Sequence, residues 1–352
     1  MSDAVSIENF ACPVPIARRD RVLLGHGSGG KLSAELLSEL FLPTFSNDVL
    51  GRMDDQAIVD VEGVRIAFTT DSFVVKPLFF PGGDIGSLAV HGTINDLAMG
   101  GAKPLFLSVA YIIEEGLEME VLRRLTESVQ RAAEAAGVTV VTGDTKVVEK
   151  GSGDGLFINT SGIGVVPKDR DLSASHARPG DRVILSGSIG DHGIAIMTRR
   201  EGLEFESDIE SDSAALHGLT ARMLKASSNI RCMRDPTRGG LSSTCNEIAA
   251  SSAVGITLDE RTIPVREEVQ GACELLGLDP LYVANEGKLV AIVDPADADR
   301  VIEAMRCDPL GREARIIGTV TGDSPGLVIM RTRFGTSRIV DMLAGDQLPR
   351  IC

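Results

Sequence analysis

Residues 83–113 read GDIGSLAVHGTINDLAMGGAKPLFLSVAYII, and this stretch decides the fold. Asp84 is a good N-cap, and residues 84–99 place Ile85, Leu88, Ala89, Ile94, Leu97 and Ala98 at helical spacing until Gly100, Gly101 and Pro104 end the run. A strand pattern follows over 105–113. So apolar a helix is largely buried, yet it also carries His91, Asn95 and Asp96. Burying an ionised Asp without a partner is costly, so Asp96 needs a cation or a strong donor. His91 shares a face with Asn95 and reads as a core histidine.

Upstream of that stretch, residues 57–61 and 64–70 are apolar runs separated by Glu62-Gly63 and read as a β-hairpin. Asp54-Asp55 precedes the first run and Asp71 ends the second, so the pairing brings carboxylates to one rim of the sheet. Earlier still, Gly25-His26-Gly27-Ser28-Gly29-Gly30 feeds a helical segment over 31–42 with Leu32, Leu36, Leu37, Leu40 and Phe41 on one face. A glycine loop at a helix start presents bare N–H groups to a phosphate, although the spacing to Lys31 is not that of a P-loop.

Downstream, an amphipathic helix over 117–136 closes at Gly137, and the run 138–141 ends in Thr142-Gly143-Asp144-Thr145-Lys146. Asp144 and Lys146 are thus expected at a strand end. A strand over 156–166 leads to Pro167, where the first domain is expected to stop. After a polar connector at 168–180, a strand over 182–186 opens a second domain. Gly190-Asp191-His192-Gly193 starts a helix, and helical patterns follow near 214–226 and 241–253, the latter preceded by DPTRGG at 235–240. Asn285-Glu286-Gly287-Lys288 introduces a strand over 289–293, with Glu286 by default a turn carboxylate facing water. Strands over 314–320 and 327–332 complete the chain before its tail. Mixed strands and helices in two similar-sized units give an α+β protein of two domains.

Composition narrows the function. The chain has 352 residues, 43% of them hydrophobic, enough for about two cores. A net charge of −15 argues against a nucleic-acid surface, while an acidic pocket can still take ATP if magnesium bridges the carboxylates to the phosphates. No run approaches the ~18 apolar residues of a membrane span, and the acidic first ten residues lack the pattern of a signal peptide, so a cytoplasmic protein is expected. The six cysteines include no C-x-x-C pair, so neither a zinc site nor a disulfide framework is indicated. The chain ends in Pro349-Arg350-Ile351-Cys352, a terminal thiol on a segment containing Gly345 and Pro349. With a reference pKa of about 8.5, that thiol is a plausible carrier of an acyl-type group.

These residues carry a family likeness: HGSGGK at 26–31, DDQA at 54–57, TTDSF at 69–73, NDLAMGGAKP at 95–104, TGDTKVV at 142–148, DPTRGG at 235–240, ANEGKL at 284–289 and the terminal PRIC. The chain resembles the HypE family of nickel-iron hydrogenase maturation factors. That family sits in the PurM-like superfamily, with aminoimidazole ribonucleotide synthetase and selenophosphate synthetase. ANEGKL and PRIC single out HypE within it. The resemblance spans nearly the whole chain, dividing it into an extension at 1–24 with no counterpart, an ATP-binding domain at 25–167, a second PurM-like domain at 181–333 and a flexible tail at 334–352.

The resemblance implies a homodimer pairing the sheets of its N-terminal domains, with ATP near the subunit boundary. It implies that Cys352 receives a carbamoyl group from the carbamoyltransferase HypF. An ATP-dependent dehydration then gives a thiocyanate, and cyanide passes to iron held by HypC and HypD. Carried over by position, Asp55, Asp71, Asp96 and Asp235 match metal acids. Gly29, Gly30, Lys31, Asp71, Asn95, Asp96, Asp144 and Asp235 fall in nucleotide-binding motifs. Lys146 and Glu286 match residues near the terminal cysteine, assigned here to charge stabilisation and proton abstraction. The rival readings are a selenophosphate synthetase-like kinase, which would want a thiol near the N-terminal glycine loop, and a carrier scaffold that leaves catalysis to partners.

Overall fold

The computed structural model describes residues 21–201, 209–345 and 351–352. Most of the expected N-terminal extension, with Cys12, and the tail residues Pro349 and Arg350 lie outside the described residues. The first unit begins with α1 (Lys31–Leu36) and α2 (Leu42–Thr44), joined by a π-helical turn over Leu37–Phe41. Next come β1 (Ala57–Val61), β2 (Val64–Phe73), a small hairpin of β3 (Phe79–Phe80) and β4 (Gly83–Asp84), α3 (Ile85–Met99), β5 (Lys103–Glu114), α4 (Met119–Ala136), β6 (Thr139–Val148) and β7 (Leu156–Val165). The second unit contains β8 (Arg182–Leu185), α5 (Asp191–Glu201), α6 (His217–Ala226), β9 (Ile230–Arg234), α7 (Gly240–Ser251), β10 (Gly255–Asp259), α8 (Glu267–Leu276), β11 (Val290–Val293), α9 (Ala298–Arg306), β12 (Arg315–Thr321), β13 (Val328–Arg331) and β14 (Ser337–Ile339). The α+β class read from the sequence holds.

The five-stranded sheet runs β1-β2-β7-β5-β6. α3 is the central helix, started by the Asp84 carboxylate, which accepts from the N–H groups of Gly86 and Ser87. Ile85, Leu88, Ile94 and Leu97 are fully buried, and each such side chain contributes about 1.5–3 kcal/mol relative to exposure. The helix lies close to the sheet because Gly162 on β7 has no Cβ; one built there would stand 2.7 Å from Thr93 Cγ2. The opposite face of the sheet is bare, exposing Phe68, Phe106, Ile112, Ile163 and Val165.

Two strands run further than their sequence patterns. β2 continues through Asp71 to Phe73 because β7 pairs with it as far as Ile158, so Asp71 lies inside a strand. β6 absorbs the whole 142–146 motif because β5 pairs with it in parallel from Thr139 to Val148. Asp144 and Lys146 therefore lie in mid-strand.

The seven-stranded sheet runs β14-β13-β10-β12-β8-β11-β9 and has cores on both faces. Alternation assigns the side chains: Val183, Leu185, Val290 and Ile292 pack with α7 on one face, while Ile184, Ala291 and Val293 pack with α6 and α9 on the other. β14 lies within the expected tail, and the Leu343 carbonyl accepts the Lys31 N–H at 2.8 Å, so the ordered body extends past residue 334.

Candidate active site

The two units meet at one cavity of about 400 Å³. Asp55 reaches it from the start of β1, Asp71 from β2, Asp96 from α3, Asp235 from the end of β9 and Glu286 from the turn before β11. Glu286 is 2% exposed, not a solvated turn residue, and its Oε1 has no hydrogen-bond partner. Burial pushes its pKa well above the usual carboxylate range, and Asp235 and Asp71 add to the shift. Asp96 is raised well above its ordinary value by burial and then by Asp235 and Asp71, against a 2.8 Å hydrogen bond donated by Thr69 Oγ1. Burial and Asp55 bring Asp235 up to about 8. Asp55 rises to about 6, burial outweighing its 2.7 Å ion pair with Arg234. Burial also raises Asp71, opposed by Arg238, whose Nη2 stands 3.7 Å away.

Carboxylates gathered this closely, with neighbouring acids raising Asp96, Asp235 and Glu286, make a cavity in which a cation is favoured. Among the described residues no group of three stands close enough together to hold a metal ion. The oxygen-only donor set nevertheless suits magnesium, which commonly takes one or two carboxylates and completes its shell with water and substrate phosphates. The residues therefore fit an ion that arrives with a nucleotide.

Two glycine loops close one end of the cavity. Gly29 has φ +73°, and a Cβ there would stand 2.6 Å from the Arg238 carbonyl oxygen; Gly239, at φ +77°, begins the turn into α7. Backbone thus meets backbone where side chains would hold the loops apart. Gly29 lines the cavity with His26, Ser33 and Arg238, while Gly30 lines an adjoining, more apolar cavity of about 460 Å³.

Four expected site residues stand elsewhere. Lys31 turns outward to Asp341 at 2.5 Å. Asn95 is fully buried; its Nδ2 donates to the carbonyls of Ala214 and Glu286, and its Oδ1 accepts from Leu216 N–H. Its amide is saturated, so it pins the Glu286 backbone instead of facing a ligand. Asp144 and Lys146 pair with each other at 2.7 Å on the exposed β6, outside the cavity.

The structure adds residues the sequence reading passed over. Arg238 lies inside the DPTRGG motif, whereas the sequence reading places its cations at Lys31 and Lys146. Its guanidinium pKa is raised first by Cys352 and also by Asp71 and Glu286, which marks it, alongside Arg234, as a cation of the cavity and the one coupled to the terminal cysteine. Thr69, Arg234 and His192 likewise lay within or beside segments already singled out. Asp212 gave no signal in the sequence; it accepts the Glu286 N–H at 3.0 Å and pairs with Lys288 at 2.9 Å.

The terminal thiol reaches the same cavity. Ile351 is 5% exposed in the core around Phe73 and Phe80. Its carbonyl accepts from His192 Nε2 at 2.7 Å, and the main-chain oxygen of Cys352 accepts from Val74 N–H at 3.1 Å. Burial pushes the Cys352 thiol up to about 12, with Arg238 pulling the other way. Among the described residues Cys232, Cys245 and Cys273 are buried, Cys307 is exposed, and all are free thiols.

Residues 53–166 match the AIR synthase related protein N-terminal domain, and residues 178–330 the corresponding C-terminal domain. Carbamoyl dehydratase HypE of Azotobacter vinelandii is 60% identical over 335 residues, covering 95% of this chain and 98% of that protein. The crystal structure of a HypE-HypF complex contains a chain 50% identical, with a TM-score of 0.83, covering 88% of this chain and 99% of that one. A crystal structure of HypE in complex with ATP is 48% identical, with a TM-score of 0.80 and coverage of 94% and 100%. No helix among the described residues is long and apolar enough to cross a membrane. The chain belongs to the HypE carbamoyl dehydratase family.

Proposed function

We propose that this chain dehydrates a carbamoyl group carried on Cys352 to a thiocyanate at the expense of ATP, for the cyanide ligand of nickel-iron hydrogenase. One observation carries the reading: the chain's own terminal sulfur is docked in the cavity that gathers six acids, Glu247 among them, with Arg234 and Arg238. A carrier scaffold has no use for such a cavity. A selenophosphate synthetase-like kinase would keep its thiol near the glycine loop, and among the described residues the thiol in the cavity is the terminal one.

The chemistry follows from the residues. Oxide is a poor leaving group, so the carbamoyl oxygen attacks the γ-phosphorus of ATP, ADP departs, and one N–H proton is lost. The second N–H proton then leaves as the C–O bond breaks, giving phosphate and S–C≡N. Glu286 is placed to take the nitrogen protons, its raised pKa making its carboxylate a stronger base than a free one. Arg238 stabilises charge developing on the oxygen and phosphate, and Gly27 and Gly29 line their approach. Asp55, Asp71, Asp96 and Asp235 would hold magnesium, which neutralises the phosphates when bound. Because the docked thiol is held protonated, the carbamoyl group is accepted while the tail is out. HypF is the proposed donor, supported by the HypE-HypF complex of a relative, and the HypC-HypD complex the proposed acceptor.

The bare face of the five-stranded sheet and the open edge of β6 support a homodimer. Asp144 and Lys146 would then enter the site of the second copy, with Lys146 assisting Arg238. Intact-protein mass spectrometry tests the core of the reading. Carbamoylated protein should lose one water on addition of ATP, Cys352→Ala should bind ATP yet form no adduct, and Glu286→Gln should carry the carbamoyl group but stall. Dehydration by Glu286→Gln at the wild-type rate would remove it as the base.

A further inference from the structure

The tail is held by more than apolar burial. His192, fully buried near the start of α5, has both ring nitrogens engaged. A carbonyl oxygen can only accept, so the 2.7 Å contact to the Ile351 carbonyl requires a proton on Nε2. Nδ1 is then bare and accepts from Ser211 Oγ at 2.8 Å, and that hydroxyl accepts in turn from Ser213 N–H at 3.1 Å. Every donor in this chain points toward the tail. The ring stands edge-on to Phe80, at 5.7 Å between centroids and 89° between planes, so its rotation is restricted as well. On the other side of the tail, Val74 N–H donates to the main-chain oxygen of Cys352. Val74 follows β2 of the first unit and His192 belongs to the second, so the tail is clamped between them.

We propose that His192 is a positioning residue that sets the balance between docked and released Cys352, so that it favours the dehydration half of the cycle and opposes the loading half. This rests on the dehydratase reading for its consequence but not for its geometry. The ring touches neither the sulfur nor the acids through any hydrogen bond; it fixes the backbone one residue before the sulfur. Losing the Nε2 donor would leave the buried Ile351 carbonyl unpaired when docked, which shifts the equilibrium outward. A released thiol regains ordinary acidity and becomes reactive, whereas a docked one is shielded.

The direct test is alkylation of Cys352 by iodoacetamide at neutral pH, followed on the C-terminal peptide, with exposed Cys307 as the internal reference. His192→Ala should react at Cys352 about tenfold faster than wild type, with Cys307 unchanged. His192→Gln, whose amide can donate to the same carbonyl, should return most of the protection. Single-turnover dehydration of carbamoylated His192→Ala should slow, loading by HypF should not, and ATP affinity should hold. Folded His192→Ala alkylated at the wild-type rate would overturn the proposal, as would equal slowing of loading and dehydration. If His192→Ala fails to fold, Ser211→Ala keeps the imidazole but removes its orienting hydroxyl; faster Cys352 alkylation then supports the clamp and an unchanged rate overturns it. The alkylation contrast needs no turnover, so a wild-type protein that lost no water with ATP would count against the dehydratase reading alone.

Discussion

β6 and β11 have similar valine-rich sequences and opposite fates. β11, Val290–Val293, is buried at every residue because β8 and β9 pair with it on either side and helices cover both faces. β6 has β5 on one side only, and Thr139 through Val147 are exposed, including Val140, Val141 and Val147. An unpaired edge strand presents a row of free N–H and C=O groups, a template for another sheet. β11 thus belongs to a finished domain, while β6 and the bare sheet face beside it leave an open edge and face, the surface on which the proposed homodimer would form. The same contrast separates Glu286, just ahead of β11 and inside the cavity, from Lys146, on β6 and outside it.

The largest expected effect comes from mixing subunits. Lys146→Ala and Cys352→Ala homodimers should each be nearly inactive. Random mixed dimers should recover about a quarter of wild-type dehydration, because half the dimers are mixed and each mixed dimer has one complete site. No recovery would mean that Lys146 does not act across the interface. Val141→Lys on the same strand should give the mass of one chain in light scattering, and a dimer mass there would break the contrast with β11.

A smaller effect is expected at the cavity itself. Asp96→Asn keeps the shape and the Thr69 contact but removes a charge, and magnesium-dependent ATP affinity should fall about tenfold to a hundredfold by calorimetry. Equal affinity would take Asp96 out of the metal set.

The smallest effect is on stability. Asp235 has its pKa raised from 3.8 to about 8, so between those values the folded chain keeps a proton that the unfolded chain has released. Its contribution is present below the unfolded value and is lost as pH rises through about 8. Asp235→Asn should therefore melt higher than wild type at pH 8, by about 2–4 °C if the relief is on the order of 1 kcal/mol, with the difference vanishing near pH 4. A difference independent of pH would show that the acid cluster is not its cause.

Local chemistry made the central helix legible. Asp84 caps it, glycines end it, and its apolar residues could only be buried; Asp96 was conspicuous because a buried charge is costly. The acids Asp55, Asp71 and Asp235 stood in short motifs beside strands or glycines, and all of them reach the cavity. Misreadings arose where pairing between distant strands overrode local signals. β2 and β6 ran on past their expected ends, and the region after residue 334 gained β14 because β13 was there to receive it.

By itself, the sequence determined the α+β class, the helix that organises the first unit, the acids and the terminal thiol, since capping, periodicity and charge burial act over a few residues. Only the tertiary structure decided which of those groups meet. Arg238 became the cavity cation coupled to the terminal cysteine, Asn95 a pin for Glu286 and His192 a proposed clamp on the tail, because contacts such as the one between His192 and Ile351 join residues far apart in the chain, and no local pattern records such a distance.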